Sequence, residues 1–261
     1  MLFRSVFILC GCSAAQFFYG GEAKQYSGDM TASLFIVWSA LQLMKPELKI
    51  STIWLIAAGG FIFILCSLPA VVISPMILTV VLVKLVKKQI TLSKQSFFLI
   101  AVSWAMACLL LTIYAKFVIS NTVQDAMSNY WSRGFLPLNN ILDSFKWILI
   151  KLNSELIFFL ATWIPFVLPS IQFVSLALLI LSIPGIIFLF KKHHSVVIIL
   201  FAPLLTAFLL AALRILPFDQ RVAVYATWPL VFSGIAGIEA LRQWIPRLFP
   251  TACGRLLLQK F

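Results

Sequence analysis

The sequence predicts an all-α, polytopic membrane protein: a helical bundle of about eight transmembrane helices plus an outer amphipathic interfacial helix. Hydrophobic residues make up 62% of the chain and the mean hydropathy is +1.05, and apolar runs long enough to cross about 30 Å of hydrocarbon recur along it. A spanning segment must satisfy its own backbone hydrogen bonds, and the sequence lacks the alternation of an outer-membrane barrel. We therefore expect these runs to be helices.

Short polar or proline-containing turns separate the predicted spans. The first span, Met1–Tyr19, has a basic start and small residues near its end, so a cleaved signal peptide is the alternative interpretation. Gly59 and Gly60 suit close contact between helices, and Pro69 disfavours continuation of the helix before it. The other seven spans are predicted at Met30–Met44, Ser51–Ser67, Pro69–Val86, Phe97–Ile119, Ser170–Phe190, Ser195–Leu216 and Val222–Leu241.

Residues 120–169 are predicted to form an extracytoplasmic loop within a single membrane domain of residues 1–261. Apolar residues recur there at helical spacing, with Asp143, Lys146, Lys151 and Glu155 between them, which predicts an amphipathic helix lying in the membrane interface. The apolar positions are Ile141, Leu142, Phe145, Ile148, Leu149, Leu152, Leu156 and Phe159. The short apolar stretch Leu156–Leu168 is expected to dip into the membrane surface.

The distribution of basic residues predicts the orientation. With the N-terminus inside and eight crossings, 13 of the 20 lysines and arginines fall on the inner side. Cytoplasmic loops are enriched in these residues, so both termini are predicted to be cytoplasmic. The net charge of +12 is explained in the same way, and we expect no nucleic-acid partner. The five cysteines show no metal-ligand spacing.

This topology collects three polar stretches on the outer side. One is Glu22–Asp29, the second contains Arg133, and the third contains Arg221. Lys24, Arg133 and Arg221 would then lie at headgroup depth beside aromatic residues such as Tyr26, where cationic side chains can bind a lipid phosphate. The alternative interpretation is that these residues only anchor the helices at the interface.

Two carboxylates in the first polar stretch are weak candidates for catalysis. Glu22 and Asp29 are each able to act as a general base or as a metal ligand. No cofactor is predicted, and the sequence leaves open whether a divalent metal binds. Asp29 directly precedes an apolar run, so it is equally a candidate N-cap for the second span.

Four short stretches resemble motifs of the C-type glycosyltransferase superfamily and occur in the same order. This superfamily includes bacterial relatives of protein O-mannosyltransferases and lipid A aminoarabinose transferases. They are Glu22-x-Lys24-Gln25-Tyr26-Ser27-x-Asp29, Ser67-Leu68-Pro69-Ala70-Val71, Trp131 to Pro137, and Leu216-Pro217-Phe218 through Arg221. The resemblance implies a glycosyltransferase of the bacterial inner membrane that takes a sugar from a polyprenyl-phosphate donor on the extracytoplasmic side. It also implies that Lys24 and Arg221 lie near the lipid phosphate.

The chain departs from that family in ways that affect the catalytic assignment. The family's catalytic carboxylate usually lies in a large outer loop that precedes the Lys-Gln-Tyr motif, so the resemblance covers only the family's C-terminal part. Gly28 replaces a serine, and Asp219-Gln220 departs from the family's glycine-containing turn. A non-catalytic membrane protein or accessory subunit that binds a lipid phosphate is therefore the second hypothesis. A transporter ranks third, because the sequence shows no internal repeat.

Overall fold

The computed structural model describes residues 26–118, 132–161, 168–219 and 223–248, and this part of the chain is helical without β-strands. Two 3₁₀ turns, Ser132–Gly134 and Val224–Ala226, lie in the connections. The α-helices in the described ranges are α1 Tyr26–Leu43, α2 Ile50–Leu65, α3 Leu68–Val86, α4 Lys94–Val118, α5 Ile141–Ala161, α6 Leu168–Ala212 and α7 Trp228–Leu248.

Four of the described helices, α3, α4, α6 and α7, are long and apolar enough to cross a membrane. The 16-residue helix α2 is apolar but shorter. Several apolar helices are compatible with an integral membrane protein, but the predicted count of eight spans is not supported. The predicted first span, Met1–Tyr19, lies outside the described residues.

The predicted sixth and seventh spans are the two halves of α6. His193 interrupts this helix with a non-helical backbone (φ −152°, ψ 69°). Near one end of α6, Ser175 donates a hydrogen bond to Asn153 of α5 at 3.0 Å, and near the other end Phe208 contacts Trp147 of α5. Because both ends meet the same helix, the chain turns back at His193, as the predicted polar turn requires.

Helix α5 forms where the amphipathic helix is predicted, but it extends to Ala161. The prediction of a separate dipping segment at Leu156–Leu168 is therefore wrong for its first six residues, and residues 162–167 lie outside the described ranges. The physical reason is that no proline or glycine interrupts the helix before Pro165.

The later part of the polar stripe of α5 faces the protein, whereas its first two charges, Asp143 and Lys146, are exposed. Lys151 and Glu155 are largely or fully buried, whereas Ile141 and Phe145 near the start of the helix are exposed. Only the later apolar positions, such as Leu156, are buried. In this later part the charges are turned inward, which is the arrangement expected where a helix contacts lipid.

Close contact between α2 and α4 confirms the role predicted for the glycine pair. Trp104 is fully buried and its indole Nε1 donates to the carbonyl oxygen of Ile56 at 3.1 Å. A Cβ on Gly60 would lie 1.9 Å from that nitrogen, and a Cβ on Gly59 would lie 2.5 Å from the ring of Phe35 in α1. The two glycines therefore allow α2 to pack against both neighbours.

The first half of α6 packs even more closely against α7, through glycines on both helices. A Cβ on Gly185 would lie 1.8 Å from the Ser233 carbonyl oxygen, and a Cβ on Gly237 would lie 1.9 Å from the Leu181 carbonyl oxygen. Both obstructing atoms are backbone, so a larger residue would force the helices apart. Small residues at helix contacts serve this purpose in membranes.

We expect Gly185→Ala to lower stability although alanine is the better helix former. Overpacking typically costs about 1–3 kcal/mol, which exceeds the gain in helix propensity of about 1 kcal/mol. Gly28→Ala is the matched control, because its Cβ would lie 3.6 Å from the nearest atom, an ordinary contact. Thermal unfolding in detergent should show a lower midpoint for Gly185→Ala alone. Equal midpoints for the two variants would contradict the close α6–α7 packing.

Candidate functional site

The start of α1 is joined to the turn between α2 and α3 by two polar side chains. Asp29 is 2% exposed and its carboxyl group is hydrogen-bonded to the Ser67 side chain. Ser67 is itself the N-cap of α3, where its Oγ accepts from the backbone N of Ala70 at 3.3 Å. The N-cap interpretation of Asp29 is wrong, because α1 begins at Tyr26 and includes Asp29 in its first turn.

One turn further along α1, Ser33 joins the same helix to the segment that leads into α7. The Ser33 hydroxyl donates to the carbonyl oxygen of Tyr225 at 3.2 Å and accepts from the indole Nε1 of Trp228 at 3.3 Å. All three residues are at least 98% buried. We refer to Asp29, Ser33, Ser67, Tyr225 and Trp228 as the Asp29 cluster.

A second contact joins residues 132–140 to residues 211–219, the end of α6 and the turn after it, and we call these two segments the loop pair. The backbone N of Phe218 donates to the Gly134 carbonyl oxygen at 2.7 Å, and the backbone N of Leu136 donates to the Ala211 carbonyl oxygen at 3.4 Å. A Cβ on Gly134 would lie 2.6 Å from the Cβ of Pro217. The glycine therefore allows the two segments to approach each other.

Helix α5 is held against the loop pair by a salt bridge and by aromatic contacts. Lys151 Nζ lies 2.8 Å from Asp219 Oδ2, and both side chains are mostly shielded from solvent. The indole Nε1 of Trp147 donates to the Arg133 carbonyl oxygen at 3.1 Å, and its ring lies 6.1 Å from the ring of Phe218. The position of the Arg133 backbone is thus fixed, while its side chain is exposed.

The structure brings only part of the predicted site together. Glu22, Lys24 and Arg221 lie outside the described residues, and for Tyr26 only the backbone is described. Arg133 lies in the loop pair, and Asp29 lies inside its cluster. Among the described residues, no hydrogen-bond partner reaches Asp29 Oδ1. Burying an ionised carboxylate without hydrogen-bond partners costs free energy, and within the cluster this cost is greatest at Asp29 Oδ1.

Sequence reasoning missed the residues that connect the motifs. Ser33 is four residues after Asp29, the spacing that places two residues on one face of a helix, and this signal was available. Lys151 stood out only as part of a polar stripe, because its partner Asp219 is distant in sequence. Tyr225 and Trp228 carried no signal beyond their aromatic character.

In the described ranges, no group of three or more metal-ligating side chains has the geometry to hold a metal ion. Comparison with protein-family models, with curated proteins and with solved structures finds no match to this chain.

We expect Ser33→Ala to reduce the free energy of unfolding by about 1–3 kcal/mol, because it leaves the buried Trp228 N–H and Tyr225 carbonyl without this partner. Ser39→Ala is a matched control on the same helix: Ser39 is also fully buried, and no described residue hydrogen-bonds to its hydroxyl. Denaturant titration in detergent micelles should show Ser39→Ala to be neutral or stabilising. Equal losses in the two variants would show that the Ser33 hydrogen bonds contribute no stability.

Proposed function

We propose that this protein is a membrane glycosyltransferase that takes a sugar from a polyprenyl-phosphate donor on the extracytoplasmic side of the bacterial inner membrane. In such a transfer, the bond between the anomeric carbon and the phosphate oxygen breaks. A bond from the anomeric carbon to an acceptor oxygen forms, the acceptor proton passes to a base, and polyprenyl phosphate leaves. The proposal rests on the four motif stretches that resemble C-type glycosyltransferases.

One observation carries the proposal: the motif stretches, far apart in sequence, meet in pairs. Asp29 of the first stretch contacts Ser67 of the second. Gly134 of the third contacts Pro217 and Phe218 of the fourth. Motifs that contribute to one site have to converge in space, whereas residues that only anchor separate helices at the interface need not. The two contacts therefore favour paired motif stretches over four independent interfacial anchors.

The distribution of lysines favours the proposed orientation. The helix ends remote from the Asp29 cluster and the loop pair form a lysine-rich end. It carries Lys45 and Lys49 before α2, Lys87 and Lys88 after α3, and Lys191 and Lys192 before the turn in α6. A lysine-rich end is typical of the cytoplasmic side. The Asp29 cluster and the loop pair would then face outward, where polyprenyl-linked sugars are used by the enzymes that the sequence resembles.

The second candidate function, a non-catalytic protein that binds a lipid phosphate, is favoured by the position of Asp29. This carboxyl group is 2% exposed and hydrogen-bonded to a helix cap, so it has a structural role in packing α1 against α3. A general base needs access to the acceptor. If Asp29→Asn preserves sugar transfer by the full chain, Asp29 is not the base. Loss of transfer with donor binding intact would support a catalytic role.

We expect Arg133→Gln to weaken binding of polyprenyl phosphate by about tenfold or more, because a charged hydrogen bond to phosphate contributes roughly 1.5–3 kcal/mol. Arg242→Gln is the matched control: it removes the same charge from α7, at the lysine-rich end. The ion pair it breaks with Glu239 is long, at 3.8 Å, and exposed. Binding to the full chain in lipid nanodiscs is the measurement.

The outcomes of this binding experiment separate the hypotheses. Selective loss with Arg133→Gln supports a phosphate site beside the loop pair. Equal affinities for the wild type and both variants would contradict a phosphate contact by Arg133 and leave interfacial anchoring as its role. Equal losses in both variants would indicate a nonspecific effect of net charge.

A further inference from the structure

A cavity of about 620 Å³ lies at the lysine-rich end, between the last turn of α3 and the first turns of α4. Its volume is within the range of small-molecule sites, roughly 300–1,000 Å³. It is far along α3 from Ser67, so it is separate from the Asp29 cluster and the loop pair. The lining residues are Leu82, Leu85, Val86, Lys88, Ile90, Thr91, Leu92, Lys94, Phe97 and Phe98.

The lining combines an apolar wall with two cations. Val86 and Phe98 are 73% and 69% exposed, and they lie at the ends of two helices that are long and apolar enough to cross a membrane. Lys88 and Lys94 are exposed, and the described lining includes no carboxylate. An apolar wall suits an acyl chain, and paired lysines at the end of spanning helices suit an anionic headgroup.

The backbone at Lys88 has a conformation that glycine usually adopts. Its φ of 55° lies in the left-handed region, where the chain leaves α3. The backbone N of Gln89 donates to the Lys84 carbonyl oxygen at 2.9 Å, which is the hydrogen bond that closes a helix C-terminus of the Schellman type. Glycine is the usual residue at such a position because a side chain there is strained. Lysine at this position is therefore less stable than glycine would be.

We propose that this cavity binds an anionic glycerophospholipid of the surrounding leaflet, with its phosphate between Lys88 and Lys94 and an acyl chain along the wall formed by Leu82, Val86 and Phe98. The lipid would occupy the surface between α3 and α4 at the end opposite the Asp29 cluster. This site does not depend on the proposed glycosyltransferase activity, because it uses none of the residues assigned to that activity.

The test is native mass spectrometry of the full chain released from nanodiscs that contain phosphatidylglycerol or phosphatidylcholine. Each lysine near an anionic headgroup contributes roughly fivefold to affinity, so Lys88→Gln with Lys94→Gln should weaken retention of phosphatidylglycerol by about 30-fold. Lys116→Gln with Lys146→Gln is the control, since it removes two exposed lysines from other parts of the chain. The control and the wild type should retain phosphatidylglycerol in preference to phosphatidylcholine.

A second variant separates lipid binding from folding. Lys88→Gly relieves the left-handed strain, so it should raise the thermal midpoint in detergent while it lowers phosphatidylglycerol retention about fivefold. Equal retention of the two lipids by the wild type would overturn the proposal. Equal losses in the two double variants would also overturn it, as would a dimer without bound lipid, which would indicate that a second copy of the chain covers the groove.

Discussion

Hydrogen bonds between polar groups inside the apolar bundle hold α1 against its neighbours. Hydrocarbon offers no hydrogen-bond partners, so each buried polar side chain needs one within the protein. Ser67 makes two such contacts, one as the N-cap of α3 and one with Asp29. Ser33 links α1 to Tyr225 and Trp228 in the same way. These contacts join α1 to α3 and to the segment before α7, whereas close approach at glycines joins α6 to α7.

Much of the fold follows from the sequence, because apolar runs and the residues that end them are local signals. Three such signals have the predicted effect: the proline at the start of α3, the glycine pair in α2 and the polar turn at His193. The number of spans could not be predicted from the sequence, because a span requires a helix that is both long enough and apolar enough to cross a membrane. The orientation of α5 also did not follow, because a helical pattern alone does not tell which face meets lipid and which meets protein.

The candidate site was predictable only as separate stretches of chain. Sequence singled out Asp29 and Arg133, but the residues that join the stretches are partners over long sequence distances, such as Lys151 with Asp219. Ionic and hydrogen-bonded pairs of this kind leave no periodic signal. The two ends of the bundle also differ in chemistry. Buried hydroxyls, aromatic rings and one carboxylate lie in the Asp29 cluster, whereas two lysines line an apolar cavity at the other end.

In the proposed orientation, the loop pair faces the extracytoplasmic side and the lysine-rich end faces the cytoplasm. The most direct measurement is labelling of single cysteines by a membrane-impermeant maleimide in intact cells, with the native cysteines replaced. Leu138→Cys lies in the loop pair and Gln89→Cys lies beyond α3, and both positions are exposed. The account predicts that Leu138→Cys is labelled in intact cells and that Gln89→Cys is labelled only after permeabilisation. The reverse pattern, or labelling of both from outside, would contradict it.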